Sequence, residues 1–175
     1  TNGNYVFAKR IGGLQTDLPY CIKPDVNNNI LLSGFFYSTV DFNPGGGVNN
    51  LTSAGFGDIF LATYDDNGNY INAFHVGSTG LDFCRNFTTD STGSIFITGG
   101  FDQTVDFDPG TAVYPLTSTG SRDGYFAKYG AYTVGIENRN NIKSDLFIYP
   151  NPAYSEIKIQ STAQQITKLQ PAYFF

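Results

Sequence analysis

The chain repeats itself every 65 residues without a gap. Asn2–Tyr5 (NGNY) returns as Asn67–Tyr70, DFNPG at 41–45 returns as DFDPG at 106–110, and LTS at 51–53 returns at 116–118. Between 36–64 and 101–129, 15 of 29 positions are identical, and between 2–34 and 67–99, 10 of 33. Unrelated sequences of ordinary composition would agree at roughly 6% of positions. What persists is mostly Gly, Asp, Pro and Asn at turns, with a few aromatic and small apolar positions. That is the requirement of a repeated backbone path, because turn geometry depends on particular residues. An ungapped period of this length means a modular array.

Short runs rich in Phe, Tyr, Ile, Val and Thr lie between Gly/Asn/Asp clusters and read as strands. In the second copy they are 69–76, 83–90, 94–101 and 123–129, and in the first 4–11, 18–25, 29–36 and 58–64. The segments 37–57 and 102–122 hold the DF(N/D)PG and LTS motifs. Pro44 and Pro109 exclude a central strand there, so each reads as an elaborated loop with at most a short edge strand. No stretch has a sustained helical period.

Four antiparallel strands recurring in tandem are the signature of a β-propeller blade. The expected fold class is therefore all-β: about two tandem four-stranded antiparallel blades forming an incomplete ring. Two repeats (2–66 and 67–129) occupy residues 1–130. They are too few for a ring of about 4–8 blades, so further blades are expected upstream. Thr1 already lies within the repeat, as expected of the C-terminal part of a longer array.

The net charge of −5 argues against nucleic acid and anionic membrane surfaces, which favour basic patches. No apolar run approaches the roughly 18 residues of a transmembrane helix. Cys21 and Cys84 are 63 residues apart, out of register with the repeat, and form no disulfide framework; they read as buried free thiols, with a single bridge as the alternative.

The string VDFNPGGGVNNLTSAGFGDIFLATYDDNGNYINAFHVG and its second copy VDFDPGTAVYPLTSTGSRDGYFAKY resemble the bacterial β-propeller repeats called SBBP repeats. Such repeats are common in large secreted proteins of Bacteroidetes-type bacteria. The family usually carries a Trp in the strand after NGN, where this chain has Phe7 and Asn72. The resemblance covers about residues 2–130 and implies a propeller without a common catalytic set. Residues 131–145 are polar, rich in Asn and linker-like. LFIYPNPAYSEIKIQ (146–160) reads as two short strands around a Pro-Asn-Pro turn. Following a VGIE-type linker, it resembles the start of a type A C-terminal sorting domain of the type IX secretion system. Pro150, Asn151 and Pro152 match the family's PNP motif, and Ile157 and Ile159 match the strand after it. The resemblance implies recognition by the type IX machinery and an extracellular or outer-surface location. The later glycine motif and lysine-containing strand are not found before QPAYFF, so 146–175 reads as a truncated sorting domain, and the resemblance implies a partial C-terminal β-sandwich there.

No catalytic constellation emerges. His75 is the single histidine, and no GxSxG or HExxH is present. The carboxylates carry more information. Asp65, Asn67 and Asn69 have the spacing of half a calcium loop, but Val76 stands where an EF-hand needs Glu, and a tight turn at Gly68 explains the same residues. Metal binding there stays open. Asp41, Pro44 and Gly45, with Asp106, Asp108, Pro109 and Gly110, form the repeated loop motif, also read as a turn. The chain is thus expected to be a non-catalytic scaffold or binding module of a secreted or surface protein, with a glycan or protein ligand. The alternatives are an accessory propeller part of a secreted hydrolase whose catalytic domain lies upstream, and a calcium-stabilised stalk.

Overall fold

A computed structural model describes residues 2–130 and two short strands, Phe147–Ile148 and Ile159–Gln160. The chain divides into two units, Thr1–Val134 and Gly135–Phe175, described separately below.

In the first unit, β1 (Leu18–Pro24), β2 (Ile30–Asp41), β3 (Asn50–Tyr64) and β4 (Tyr70–Val76) form an antiparallel meander in chain order. A second sheet holds β5 (Phe83–Thr89), β6 (Ile95–Phe101) and β9 (Asp123–Tyr129), also antiparallel. Between β6 and β9, the strands β7 (Thr104–Asp106) and β8 (Pro115–Thr117) form a small hairpin. The described residues contain no helix. The fold is all-β, built from tandem antiparallel sheets of propeller-blade type that do not close a ring.

The sheets are out of phase with the repeat as counted from residue 2. The first sheet runs from 18 to 76, so its outermost strand β4 comes from the start of the second copy. The first-copy equivalent of β4, residues 4–11, was expected as a strand, yet residues 2–13 belong to no ladder. Its sequence suits a strand, but no strand among the described residues pairs with it.

Side chains alternate between faces with period two, and both faces of the first sheet are buried. Leu31, Ile59 and Leu61 join Ile95, Ile97, Phe101 and Tyr125 of the second sheet in one core. Phe36, Phe60, Ala62 and Tyr64 point the other way and form a second core with Val40 and Phe42. Each fully buried Phe here contributes on the order of 1.5–3 kcal/mol.

The inserted segments are hairpins rather than loops. In the first copy β2 and β3 continue into the insert, with Thr39 paired to Thr52 and Asp41 to Asn50. In the second copy the same hairpin is detached as β7 and β8. The break falls at equivalent positions, where Ser38 and Gln103 both adopt positive φ (57° and 59°). The Thr39–Thr52 and Thr104–Thr117 hydroxyl pairs, at 2.8 and 2.9 Å, hold the two arms together. Pro44 and Pro109 sit in the hairpin tips, outside any ladder.

In the second unit, β10 (Phe147–Ile148) pairs antiparallel with β11 (Ile159–Gln160).

Candidate binding surface

The repeated carboxylates serve the backbone. Asp41 Oδ1 accepts the N–H groups of Asn43 and Asn49 at 2.9 and 2.8 Å. Asp106 Oδ1 accepts those of Asp108 and Tyr114 at 3.1 and 2.8 Å. Asn43 and Asp108 in turn accept from Gly45 and Gly110 at 2.9 and 2.6 Å. The DF(N/D)PG motif is thus two nested side-chain caps that close the hairpin tip over Pro44 or Pro109. The N–H donors of Asn49, then Asn43, hold the Asp41 carboxyl below its ordinary range.

The calcium-like spacing is also a turn. Asp65 Oδ1 accepts the N–H groups of Asn67 and Asn69 at 2.9 and 2.8 Å, and Oδ2 accepts the Asn69 side-chain amide at 2.8 Å. Asp25 binds Asn27 and Asn29 through the same three bonds. Asp90 binds the backbones of Thr92 and Ser94. The left-handed residue recurs as Asn28, Gly68 and Gly93. Three hairpins therefore share one turn. The Asn69 donors lower the Asp65 carboxyl.

Two further carboxylate pairs, not singled out in the sequence, recur with the period. Asp17 accepts from Gly13 N and Tyr37 N at 2.7 and 3.1 Å. Its equivalent Asp82, fully buried, accepts from Ser78 N and Asp102 N at 2.6 and 2.8 Å. Asp82 pins the crossing from β4 to β5 to the end of β6, and Asp17 ties the approach to β1 to Tyr37 of β2. Burial raises the Asp82 carboxyl despite these donors. Asp58 and Asp123 cap the returning arm of the insert through Ala54 N and Thr119 N at 3.1 and 2.8 Å. The signal was legible: all four aspartates coincide under a 65-residue shift.

His75 Nδ1 lies 2.9 Å from Oδ2 of the buried Asp58, and its ring packs edge-on against Phe36 at 5.7 Å. The pair ties β4 to β3. Cys84 is buried, and the Cys21 thiol donates to Asn86 Oδ1 at 3.1 Å; both are free. Of the sorting-motif residues, Ile159 lies in β11, while Pro150, Asn151, Pro152 and Ile157 fall outside the described residues.

An exposed cluster that sequence reasoning missed lies where β1 and β5 begin. The Arg85 guanidinium sits over the rings of Tyr20 and Phe83, at 4.6 and 5.1 Å. Arg122 covers Phe83 at 5.2 Å. It is held there by a two-point pair with Asp102, Nε–Oδ1 at 2.8 Å and a terminal nitrogen to Oδ2 at 2.9 Å. Tyr20 also meets Phe35 at 5.5 Å, and Phe35 meets Tyr37 edge-on at 5.5 Å. This pair lowers the Asp102 carboxyl and raises the Arg122 guanidinium. The result is a shelf of tilted and edge-on aromatic rings overlaid by two guanidiniums. Its donors and π-faces suit a sugar or a peptide side chain. Sequence alone gave no sign of it, because Tyr20, Phe83 and Arg122 come from three strand ends.

No protein-family profile matches the chain, and no solved structure matches it significantly. It is similar to an uncharacterized WD repeat-containing protein of Acanthamoeba polyphaga mimivirus, with 29% identity over 132 residues. The alignment covers 67% of this chain but only 9% of the viral protein. The similarity supports a β-repeat module.

Proposed function

We propose that the chain is a non-catalytic binding module of a secreted or cell-surface bacterial repeat protein, and that the ring–guanidinium shelf is its ligand surface. One observation carries this reading. The repeated aspartates spend their oxygens on backbone N–H groups, while Tyr20, Phe83 and Arg85 form a cluster that no hairpin closure requires. Exposed rings with adjoining guanidinium donors favour surface glycans or extended protein segments. Probing glycan and protein arrays with the chain tests this. Binding lost in Tyr20→Ala and Arg85→Ala, with the melting curve unchanged, is the expected result. Silence on both arrays rejects it.

Residues 146–175 are proposed to act as an export and sorting signal read by type IX machinery. The support is the resemblance of FIYPNPAYSEIKI to the start of such domains. Fusing 146–175 to a reporter in a type IX-competent bacterium is the test; a reporter retained inside the cell rejects the proposal.

A further inference from the structure

The core between the two sheets has a second, half-empty edition. In the filled seam, Phe101, Phe107 and Tyr125 form an aromatic trio, with centroids 5.7, 6.3 and 4.7 Å apart. It packs against Leu31, Ile59 and Leu61 of the first sheet. Sixty-five residues earlier, Phe36, Phe42 and Phe60 form the same trio at 5.3, 6.4 and 5.0 Å. No second sheet lies on them among the described residues. Instead they line a cleft of about 320 Å³, walled on the far side by Lys9, Arg10 and Ile11.

The surface that would fill this cleft is also in the chain. Leu31, Ser33, Leu61 and Thr63 are all buried on the first sheet. Their equivalents on the second sheet are Phe96, Thr98, Phe126 and Lys128. Phe96 is 39% exposed and Phe126 is 88% exposed. Beside them the outer edge of β9 pairs with nothing among the described residues.

Residues 4–11 complete the match. They are the equivalent of β4 and hold the equivalent place. Ile11 packs on the Phe36 core as Val76 packs on the inter-sheet core. Phe7 and Lys9 lie against Gly68, yet the segment has no ladder partner among the described residues.

We infer that residues 1–175, taken without any further sheets of a longer protein, self-associate head to tail. Residues 4–11 of one copy pair antiparallel with β9 of another, while Phe96 and Phe126 of that second copy enter the Phe36–Phe42–Phe60 cleft of the first. The β3–β4 register, shifted by one repeat on each side, sets the pairing: Tyr125 opposite Arg10, Ala127 opposite Ala8, and Lys128 opposite Phe7. The contact is heterologous and propagates until it closes. Closure at about 4–8 sheets needs about two to four copies. The inference rests on the repeat geometry and is independent of what the shelf binds.

Sedimentation of the full chain over a range of concentrations, with a disulfide trap, tests it. The wild type is expected to form a discrete species of two to four copies. Phe126→Glu, at a side chain exposed in the single chain, is expected to weaken this at least about tenfold. In a Cys21→Ser background, mixing Ala8→Cys chains with Ala127→Cys chains is expected to give a mixed disulfide. The shifted pair Phe7→Cys with Ala127→Cys is expected to give much less, because neighbouring strand residues point to opposite faces. A chain that stays monomeric and forms no mixed disulfide overturns the inference. So does association indifferent to Phe126→Glu, or a trap that prefers the shifted pair.

Discussion

The Tyr64 hydroxyl donates to the carbonyl oxygen of Phe42 at 2.9 Å. It ties the end of β3 to the tip of the hairpin that β3 itself closes. Tyr129 does the same to Phe107 at 3.0 Å. Both phenols are pushed above their ordinary range by burial. The repeat therefore preserves a specific closure: each insert is locked at its base by a Thr pair, at its tip by Asp41 or Asp106, and across its length by a tyrosine.

Tyr64→Phe keeps the ring and strands a buried carbonyl. The expected loss is about 1–2 kcal/mol, a fall in Tm of several degrees, measured by thermal denaturation. Tyr129→Phe is expected to cost less, because its hydrogen bond is only partly buried. Equal losses would contradict this account of the closure.

Gly34 and Gly99 mark a second repeated requirement. An added Cβ at Gly34 would land on the Leu18 carbonyl oxygen, and one at Gly99 on that of Phe83. Both lie beside a β-bulge, between Pro19 and Cys21 in one sheet and between Cys84 and Asn86 in the other. Gly99→Ala is expected to destabilise by about 1–3 kcal/mol or more. At Gly124 the nearest atom to an added Cβ is 3.8 Å away, so Gly124→Ala is expected to leave the denaturation midpoint nearly unchanged. The two variants compared in one urea titration give the check.

The all-β class and most strands were legible, because apolar alternation between Gly/Asn/Asp turns survives in a single sequence. The hairpin in each insert was hidden by Pro44 and Pro109, which do exclude a ladder but occupy only the tip. Thr39 and Thr52 are 13 residues apart, and nothing local shows that they meet. Residues 4–11 read as a strand because they hold the repeat position of β4 and a strand-like composition, yet strand pairing needs a neighbour that local sequence does not reveal. The Tyr20–Phe83–Arg85 shelf was invisible for a related reason. The period relates Tyr20 to Arg85, two chemically different residues, so the repeat gave no signal there.

The acid limb of stability has a defined sign. Thr92, through its hydroxyl and then the backbone, with Ser94, holds the Asp90 carboxyl at about 2, below its ordinary 3.8. The Asp41 and Asp65 carboxyls are lowered too. A carboxyl lowered by folding contributes stability that is present above its unfolded value and lost as the pH falls through its folded value. Melting temperature is therefore expected to drop between about pH 4 and pH 2. Asp90→Asn should start lower at neutral pH, decline less steeply, and converge with the wild type in strong acid. Asp82 acts with the opposite sign: its carboxyl is raised by burial, so its contribution diminishes as the pH rises through the folded value. Its replacement should leave the slope of the acid limb in place.

Calcium gives a sharp test of the turn at Asp65. A calcium loop must aim carboxylate oxygens at a common point, with backbone carbonyls beside them. Here Oδ1 and Oδ2 of Asp65 already accept three N–H groups from Asn67 and Asn69, and the Asn67 side-chain amide donates to Asp66 Oδ1 at 2.7 Å. Binding a cation would break these bonds and expose the donors. Even a weak site, with a dissociation constant near a millimolar, would raise Tm by more than about 2 °C in 10 mM calcium. The expected result is no such rise, and no fall on adding chelator, in paired thermal melts of the full chain. A calcium-dependent rise that Asp65→Asn abolishes would show that the turn opens to hold the ion.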